Sequence, residues 1–441
     1  MANTVKRNLQ TASAPRPAPL ATVLALLFAL LLSTLTPASA SAFQLMPPWG
    51  SGDSRGEDLS ISLVTFEPGD DVPSWFGHTA LVVEDARHNT SRLYNYGMFS
   101  FDKAMLIKFV MGRLWFWVGD AHVRRTYEHY KRFDRAVRIQ ELNISPEKRV
   151  EVAKFLATNV LPDNREYLYH HYDDNCATRI RDVIDLAVDG QFKQAGTEPA
   201  RMTLRGHTRR HSGRSAFVDA LLIFWMNNEI DQPVTRWEEM FLPGELEDAI
   251  DNFEYTDASG KLTPLVVNRS AYYTSERAPV PDHPPLHWPY AIALGLLTAA
   301  IAVALARWRA RNPKARTPRI LFGLQNAFLG LLLGLPGLAL AGMSLFTEHT
   351  VTYWNQNIFL ANPLTFLAFP LGLAYAIGYA RAQRWLPYIW LTLAATSLIA
   401  LLLYAAGLAI PALHQDTSIT LSFILPVNIG LAAAFWWKKT A

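Results

Sequence analysis

A single cysteine in 441 residues rules out an internal disulfide and the multi-thiolate zinc sites of small metal domains. There is no HExxH helix. The two histidine-bearing groups, His170-His171 with Asp173-Asp174 and His207 with His211, lack the further ligands of one compatible geometry that zinc requires. The expectation is therefore no metal and no cofactor. Charged residues are also sparse, at 18%, and no internal repeat, low-complexity tract or coiled-coil heptad is visible. The net charge of +3 gives no support to nucleic-acid binding, because much of the positive charge lies in short stretches between apolar runs.

Half of the residues are apolar, and they are unevenly distributed. Lys6, Arg7 and Arg16 precede an apolar run from Leu20 to Leu35 and then Ala38-Ser39-Ala40, the pattern of a secretory signal cut near Ala40 or Ala42. A retained anchor is the alternative. Both place residue 43 outside the cytoplasm, and no cysteine follows that would make the chain itself a lipoprotein. The expected organisation is a signal at 1–42, an extracytoplasmic domain at 43–277, a proline-rich linker at 278–287 and a membrane domain at 288–441. Five spans are expected near Trp288–Ala306, Ile320–Met343, Ile358–Ala380, Trp385–Ile410 and Ile419–Trp437, each long enough for about 30 Å of hydrocarbon. Arginine and lysine mark cytoplasmic loops. Arg307, Arg309, Arg311, Lys314, Arg316 and Arg319 follow the first span, Arg381 and Arg384 the third, and Lys438 and Lys439 the fifth, whereas 344–357 and 411–418 contain neither residue type. The soluble domain shares its side of the membrane with those two loops.

Cys176 needs an account other than a disulfide. A small buried filler is one. The other begins with Asn175, which reads as an N-cap, and with Ala177, Ile180, Val183, Ile184, Ala187 and Val188, which recur at helical spacing behind it. That puts Cys176 in a first helical turn, where unpaired N–H groups and the helix dipole are expected to lower the thiol pKa. A nucleophilic sulfur also needs a base. Residues 59–66 read as a strand, 67–71 as a loop, and 79–84 and 92–98 as two further strands. His78 thus opens a central strand of an antiparallel sheet, with Asn95 on the next strand as a candidate to orient its second nitrogen.

Other residues around these positions are candidates for substrate binding: Tyr94, Tyr96, Tyr172, Asn175 and Arg179 in the soluble part, and His349, Asn355 and Asn357 in the polar loop after the second span. Polar groups at membrane depth are costly unless they serve a purpose. Arg201, Arg205, His207, Arg209, Arg210, His211 and Arg214 read as a basic loop, either solvated or holding a lipid headgroup. The run Trp115-Phe116-Trp117, near Lys108 and Arg113, sits at a helix-to-strand junction. It suits a core, a membrane interface or an acyl-chain groove.

Several of these segments, taken in order, resemble one family. FGHTAL at 76–81, LYNYGMFSF at 93–101, YLYHHYDDNCATRIRD at 167–182 and Trp237 to Pro243 together resemble the Lnb N-terminal periplasmic domain family over about residues 57 to 265. That resemblance implies an α+β permuted papain-like (NlpC/P60-like) thiol domain, here followed by an all-α membrane domain. It further implies a lipoprotein N-acyltransferase of the bacterial inner membrane, with the catalytic domain in the periplasm. Cys176 would be the acyl-accepting nucleophile and His78 its base. A phospholipid would be the acyl donor and an apolipoprotein the acceptor. A membrane-anchored peptidase or peptidoglycan amidase, and a non-catalytic envelope assembly or sensor protein, are the competing readings.

Overall fold

The computed structural model describes residues 46–100 and 103–436; the expected signal segment lies outside the described residues. Strands β1 (Leu59–Phe66), β2 (His78–Asp85), β3 (Thr90–Met98), β4 (Trp115–Ala121), β5 (Val137–Leu142), β6 (Glu166–Leu168) and β9 (Val266–Tyr273) form one sheet in the order β6-β4-β3-β2-β1-β5-β9. All six pairings are antiparallel. A separate hairpin pairs β7 (Glu254–Thr256) with β8 (Leu262–Pro264). The longer helices that precede the apolar segments are α1 (Lys103–Val110), α2 (Val123–Arg132), α3 (Pro146–Asn159), α4 (Cys176–Ala187), α5 (Leu204–Ser212), α6 (Ala216–Trp225) and α7 (Pro243–Asp251).

Alternation along the strands divides the sheet into two faces. Leu59, Ile61, Leu63, Leu81, Val83 and Tyr94 enter the larger core with α3 and α4. Val64, Phe66, Ala80, Val82 and Leu93 enter a second core closed by Val123 and Tyr127 of α2. Because both faces are covered, β1 and β2 are buried along most of their length. β2 is central in the sheet, and its first residue, His78, pairs with Phe66 at the end of β1.

Five helical segments are long and apolar enough to cross a membrane: Trp288–Arg311, Arg316–Phe346, Gln356–Ala376, Ala380–Gly407 and Ser418–Trp436. We name their helices α8 (Trp288–Arg311), α9 (Arg316–Phe346), α10 (Pro363–Ala376), α11 (Ala380–Gly407) and α12 (Ser418–Trp436). The third segment differs from the expected single helix. A 3₁₀ turn at Gln356–Phe359 comes first, and α10 starts only after Asn362, which caps it ahead of Pro363. Helices α9 and α10 meet along a glycine seam. A Cβ added at Gly323, Gly330, Gly334 or Gly337 would fall 2.4 to 2.6 Å from backbone atoms of Ala376, Phe369, Phe366 or Asn362. Small residues of this kind allow membrane helices to approach closely.

The soluble and membrane regions are joined through α6. The C-terminal carbonyls of a helix have no partner within it. Asn355 Nδ2 donates to the carbonyl of Phe224 at 3.0 Å, Asn357 Nδ2 donates to those of Ile223 and Phe224 at 3.2 and 3.0 Å, and Gln415 Nε2 donates to that of Met226 at 3.1 Å. Phe224 itself packs into the core of the membrane helices. Arg209 adds an ion pair to Asp416 at 2.9 Å.

Candidate active site

Asn175 shapes the start of α4. Its Oδ1 accepts from the N–H groups of Ala177 and Thr178 at 2.8 and 3.0 Å, while Thr178 Oγ1 accepts from the N–H of Asn175 at 2.8 Å. This is a reciprocal capping box. Its Nδ2 donates to the carbonyls of His171 and Phe241 at 2.7 and 3.0 Å, which anchors the loop entering the helix. Cys176 is the first helical residue and keeps partial solvent access.

The backbone N–H groups of Thr79, Ala177 and Cys176 itself favour the Cys176 thiolate. Burial nevertheless dominates and pushes the thiol up to about 11, against the lowering effect of those three donors. The expectation of a lowered thiol pKa is overturned here. Helix-head N–H groups do favour the thiolate, but desolvation of the sulfur outweighs them.

Thr79, whose N–H favours the thiolate, is the residue after His78. His78 pairs with Phe66 at the end of β1, and its Nε2 lies 2.5 Å from Asn95 Oδ1. With an amide oxygen on Nε2, the bonded tautomer carries its proton there and leaves the Nδ1 lone pair free. Burial holds the imidazole down to about 4, against the raising effect of Asn95 and with a smaller lowering contribution from Arg135. Phe66 stacks on the ring at 6.0 Å, and Tyr130 lies parallel to it at 6.5 Å. Among the described residues no hydrogen bond joins imidazole to thiol, a separation common before substrate binds.

Local backbone features explain this placement. Gly77 takes φ +78° and an added Cβ would sit 3.1 Å from the Phe66 carbonyl oxygen, so the turn into His78 accepts glycine and little else. The register between β3 and β4 shifts between Asn95 and Met98, a bulge of the kind that re-aims side chains. Gly97 within it has φ +91°, with its added Cβ 3.8 Å from the Cys176 Cβ. The loop before His78 is braced by α5: His211 Nδ1 donates to the Trp75 carbonyl at 2.8 Å and its ring stacks on Phe76 at 5.4 Å.

The candidate substrate residues are placed differently. Tyr94 is buried and its hydroxyl accepts from Trp49 Nε1 at 2.8 Å; the Tyr96 hydroxyl donates to Asn159 Oδ1 at 2.7 Å; the buried Tyr172 hydroxyl shares a bond with Thr208 Oγ1 at 2.9 Å. All three are committed to packing. Arg179 pairs with Asp174 and lies 4.4 Å from the Tyr167 ring. It borders a surface cleft with Tyr96, Asp182 and Leu186, a cleft that Cys176 does not line. Asn355 and Asn357 are buried in the junction with α6, where Asn355 Oδ1 accepts from Gln415 at 2.8 Å and Asn357 Oδ1 from Thr420 Oγ1 at 2.7 Å. His349 stands in the same loop, edge-on to Phe109 at 6.5 Å.

The basic run is not a loop. Arg205, His207, Arg210 and His211 are buried on α5, where Arg205 pairs with Asp231 at 2.7 Å and Arg210 with Glu245 at 2.6 Å. Arg201 also pairs with Glu245, at 2.5 Å. Those cations are thus occupied by carboxylates of the fold. His207, Glu239 and Glu245 are close enough together for one metal ion. However, Arg201 and Arg210 already neutralise Glu245, and His207 Nε2 bonds Glu239 at 2.5 Å, which is the chemistry of an ion-pair network.

Sequence reasoning singled out Phe116 for a core, a membrane interface or an acyl-chain groove, but not the rings it stacks with. Phe116 stacks on Tyr169 at 4.3 Å and Phe99 on Phe116 at 5.0 Å. Burial foremost, then the Cys176 charge, raises the Tyr169 hydroxyl. Tyr130 was missed as well, since a polar helix gives no sign of which ring it turns toward His78.

Neither a curated protein nor a solved structure matches this chain. Residues 46–210, which hold His78, Asn95 and Cys176 and stop short of Trp237 to Pro243, match the family model of the Lnb N-terminal periplasmic domain, and the five apolar helices follow them.

Proposed function

We propose that this protein is an acyltransferase of the bacterial inner membrane, built on a permuted papain-like periplasmic domain. It moves an acyl chain from a phospholipid, through a thioester on Cys176, to the N-terminal amine of an apolipoprotein. The observation that carries this reading is the junction of a thiol at a helix head and a half-buried imidazole–amide pair with five apolar helices, since donor and acceptor both reside in a bilayer.

In the first step the sulfur attacks the ester carbonyl carbon while its proton passes to Nδ1 of His78. The ester C–O bond breaks, and the departing lysophospholipid oxygen takes that proton. In the second step the α-amine attacks the thioester, its proton goes to His78, the C–S bond breaks and the proton returns to sulfur. Because thiol and imidazole are both neutral at rest, His78 acts as a general base and no resting ion pair is needed. The N–H of Cys176, at the head of α4, is the donor best placed to hold the oxyanion of each tetrahedral intermediate.

The test uses the full chain in detergent with a defined phospholipid and a synthetic peptide bearing an N-terminal S-diacylglyceryl-cysteine. Equal amounts of N-acyl peptide and lysophospholipid, both lost in Cys176→Ser, are expected. Cleavage of cell-wall peptides without acyl transfer would move the assignment to an amidase.

A further inference from the structure

Between β3 and β4 the chain leaves the sheet and presents large apolar side chains outward. Ile107, Phe109 and Val110 are 67%, 51% and 57% exposed, and Met111, Trp115 and Leu168 are exposed beside them. This surface rests on the loop that ends α9. The Glu348 N–H donates to the Met111 carbonyl at 2.9 Å, Arg113 pairs with Glu348 at 2.5 Å, and a Cβ added at Gly112 would lie 2.7 Å from backbone atoms of Glu348 and His349. Just before that loop, Leu345 and Phe346 close α9 with their side chains also exposed. The apolar surface that a bilayer would cover on α9 therefore continues onto Ile107 to Met111, with the exposed cations Lys108 and Arg113 at the level of the headgroups.

On the other side the same surface leads to the sulfur. Trp115 pairs with Leu168 and Phe116 with Tyr167 in the β4–β6 ladder. Phe116 then stacks on Tyr169, and Phe116, Tyr169 and Cys176 pack against the same core.

We propose that the segment from Ile107 to Trp115 seats in the leaflet on the side of the soluble domain and, resting on the acyl-transfer reading, passes a lipid chain along Phe116 and Tyr169 to Cys176. The occupant is the lipid bilayer itself. A soluble partner would have no need of a surface continuous with the lipid-facing end of α9.

Two measurements on the full chain test this. Cys176→Ser removes the only cysteine, so a spin label on Val110→Cys in that background reports depth in nanodiscs of phosphatidylethanolamine and phosphatidylglycerol. Leu345→Cys serves as the lipid reference and Ser259→Cys as the water reference. The Val110 label is expected to favour oxygen over a water-soluble nickel relaxant, as at Leu345; the Ser259 pattern at Val110 would overturn the seating. In the second measurement, Ile107→Ser/Phe109→Ser/Val110→Ser is expected to form the Cys176 adduct from vesicle phospholipid at least tenfold more slowly than wild type. Reaction with a water-soluble short-chain p-nitrophenyl ester should persist. An unchanged vesicle rate would overturn the delivery role. A wild-type protein that reacts with neither donor would count against the acyl-enzyme itself, while the depth measurement would still decide the seating.

Discussion

In the proposed mechanism, Asn95 decides which nitrogen of His78 is the base. By holding Nε2 at 2.5 Å it leaves Nδ1 unprotonated, so Asn95→Ala is expected to lower acyl-enzyme formation about 10- to 100-fold with circular dichroism unchanged. Burial holds His78 down to about 4, and the base form therefore persists well below the usual histidine range. Acyl-enzyme formation should stay level from pH 8 to about pH 5 and fall with an acid limb near 4. A limb near 6.5 would contradict the buried-base account. The thiol, pushed up to about 11, adds no alkaline limb at ordinary pH. The same shifts act on stability. His78 and His211 both lie near 4 in the fold and near 6.5 when unfolded. The unfolded chain then binds more protons between those values, and stability present above 6.5 is lost as pH falls toward 4. Thermal unfolding between pH 7 and pH 4.5 checks the sign.

At the scale of elements, α4 and α5 place the site by different means. The cap of α4 was legible because Asn175 precedes an apolar stripe at helical spacing, and Asn175→Ala should cost about 1 kcal/mol or more, read as a lower unfolding temperature. Helix α5 was not legible. Arg205 to Ser212 carries no apolar stripe, so a pattern search reads a solvated loop, yet the helix buries arginines against Asp231 and Glu245. Arg205→Ala leaves Asp231 as an unpaired buried charge and is expected to destabilise by roughly 3 to 5 kcal/mol, measured by denaturant unfolding of the detergent-solubilised protein. Strands β1 to β3 could be read from apolar alternation and turn residues, and the five apolar segments from length and loop charge. The break before α10 could not, because Ile358 to Ala361 is as apolar as a span while Asn362-Pro363 restarts the helix. Tyr94 and Tyr96 looked like binding residues by proximity, and pairing with Trp49 and Asn159 shows that they face the core.

For the whole molecule, the polar groups of the membrane loops matter as a junction. Asn355, Asn357 and Gln415 hold the end of α6, and the Arg209–Asp416 pair secures α5 to the loop before α12. Asn357→Leu would strip two carbonyls and Thr420 of a partner, at about 1 to 3 kcal/mol. It should therefore slow acylation by membrane lipid more than reaction with a soluble ester. The most direct test of the central claim is intact mass of the purified full chain after incubation with defined phospholipid. The account predicts one hydroxylamine-labile acyl group on the wild type, none on Cys176→Ser and a strong loss in His78→Ala. No adduct and no lysophospholipid from a folded wild type, or an adduct that survives in Cys176→Ser, would contradict it.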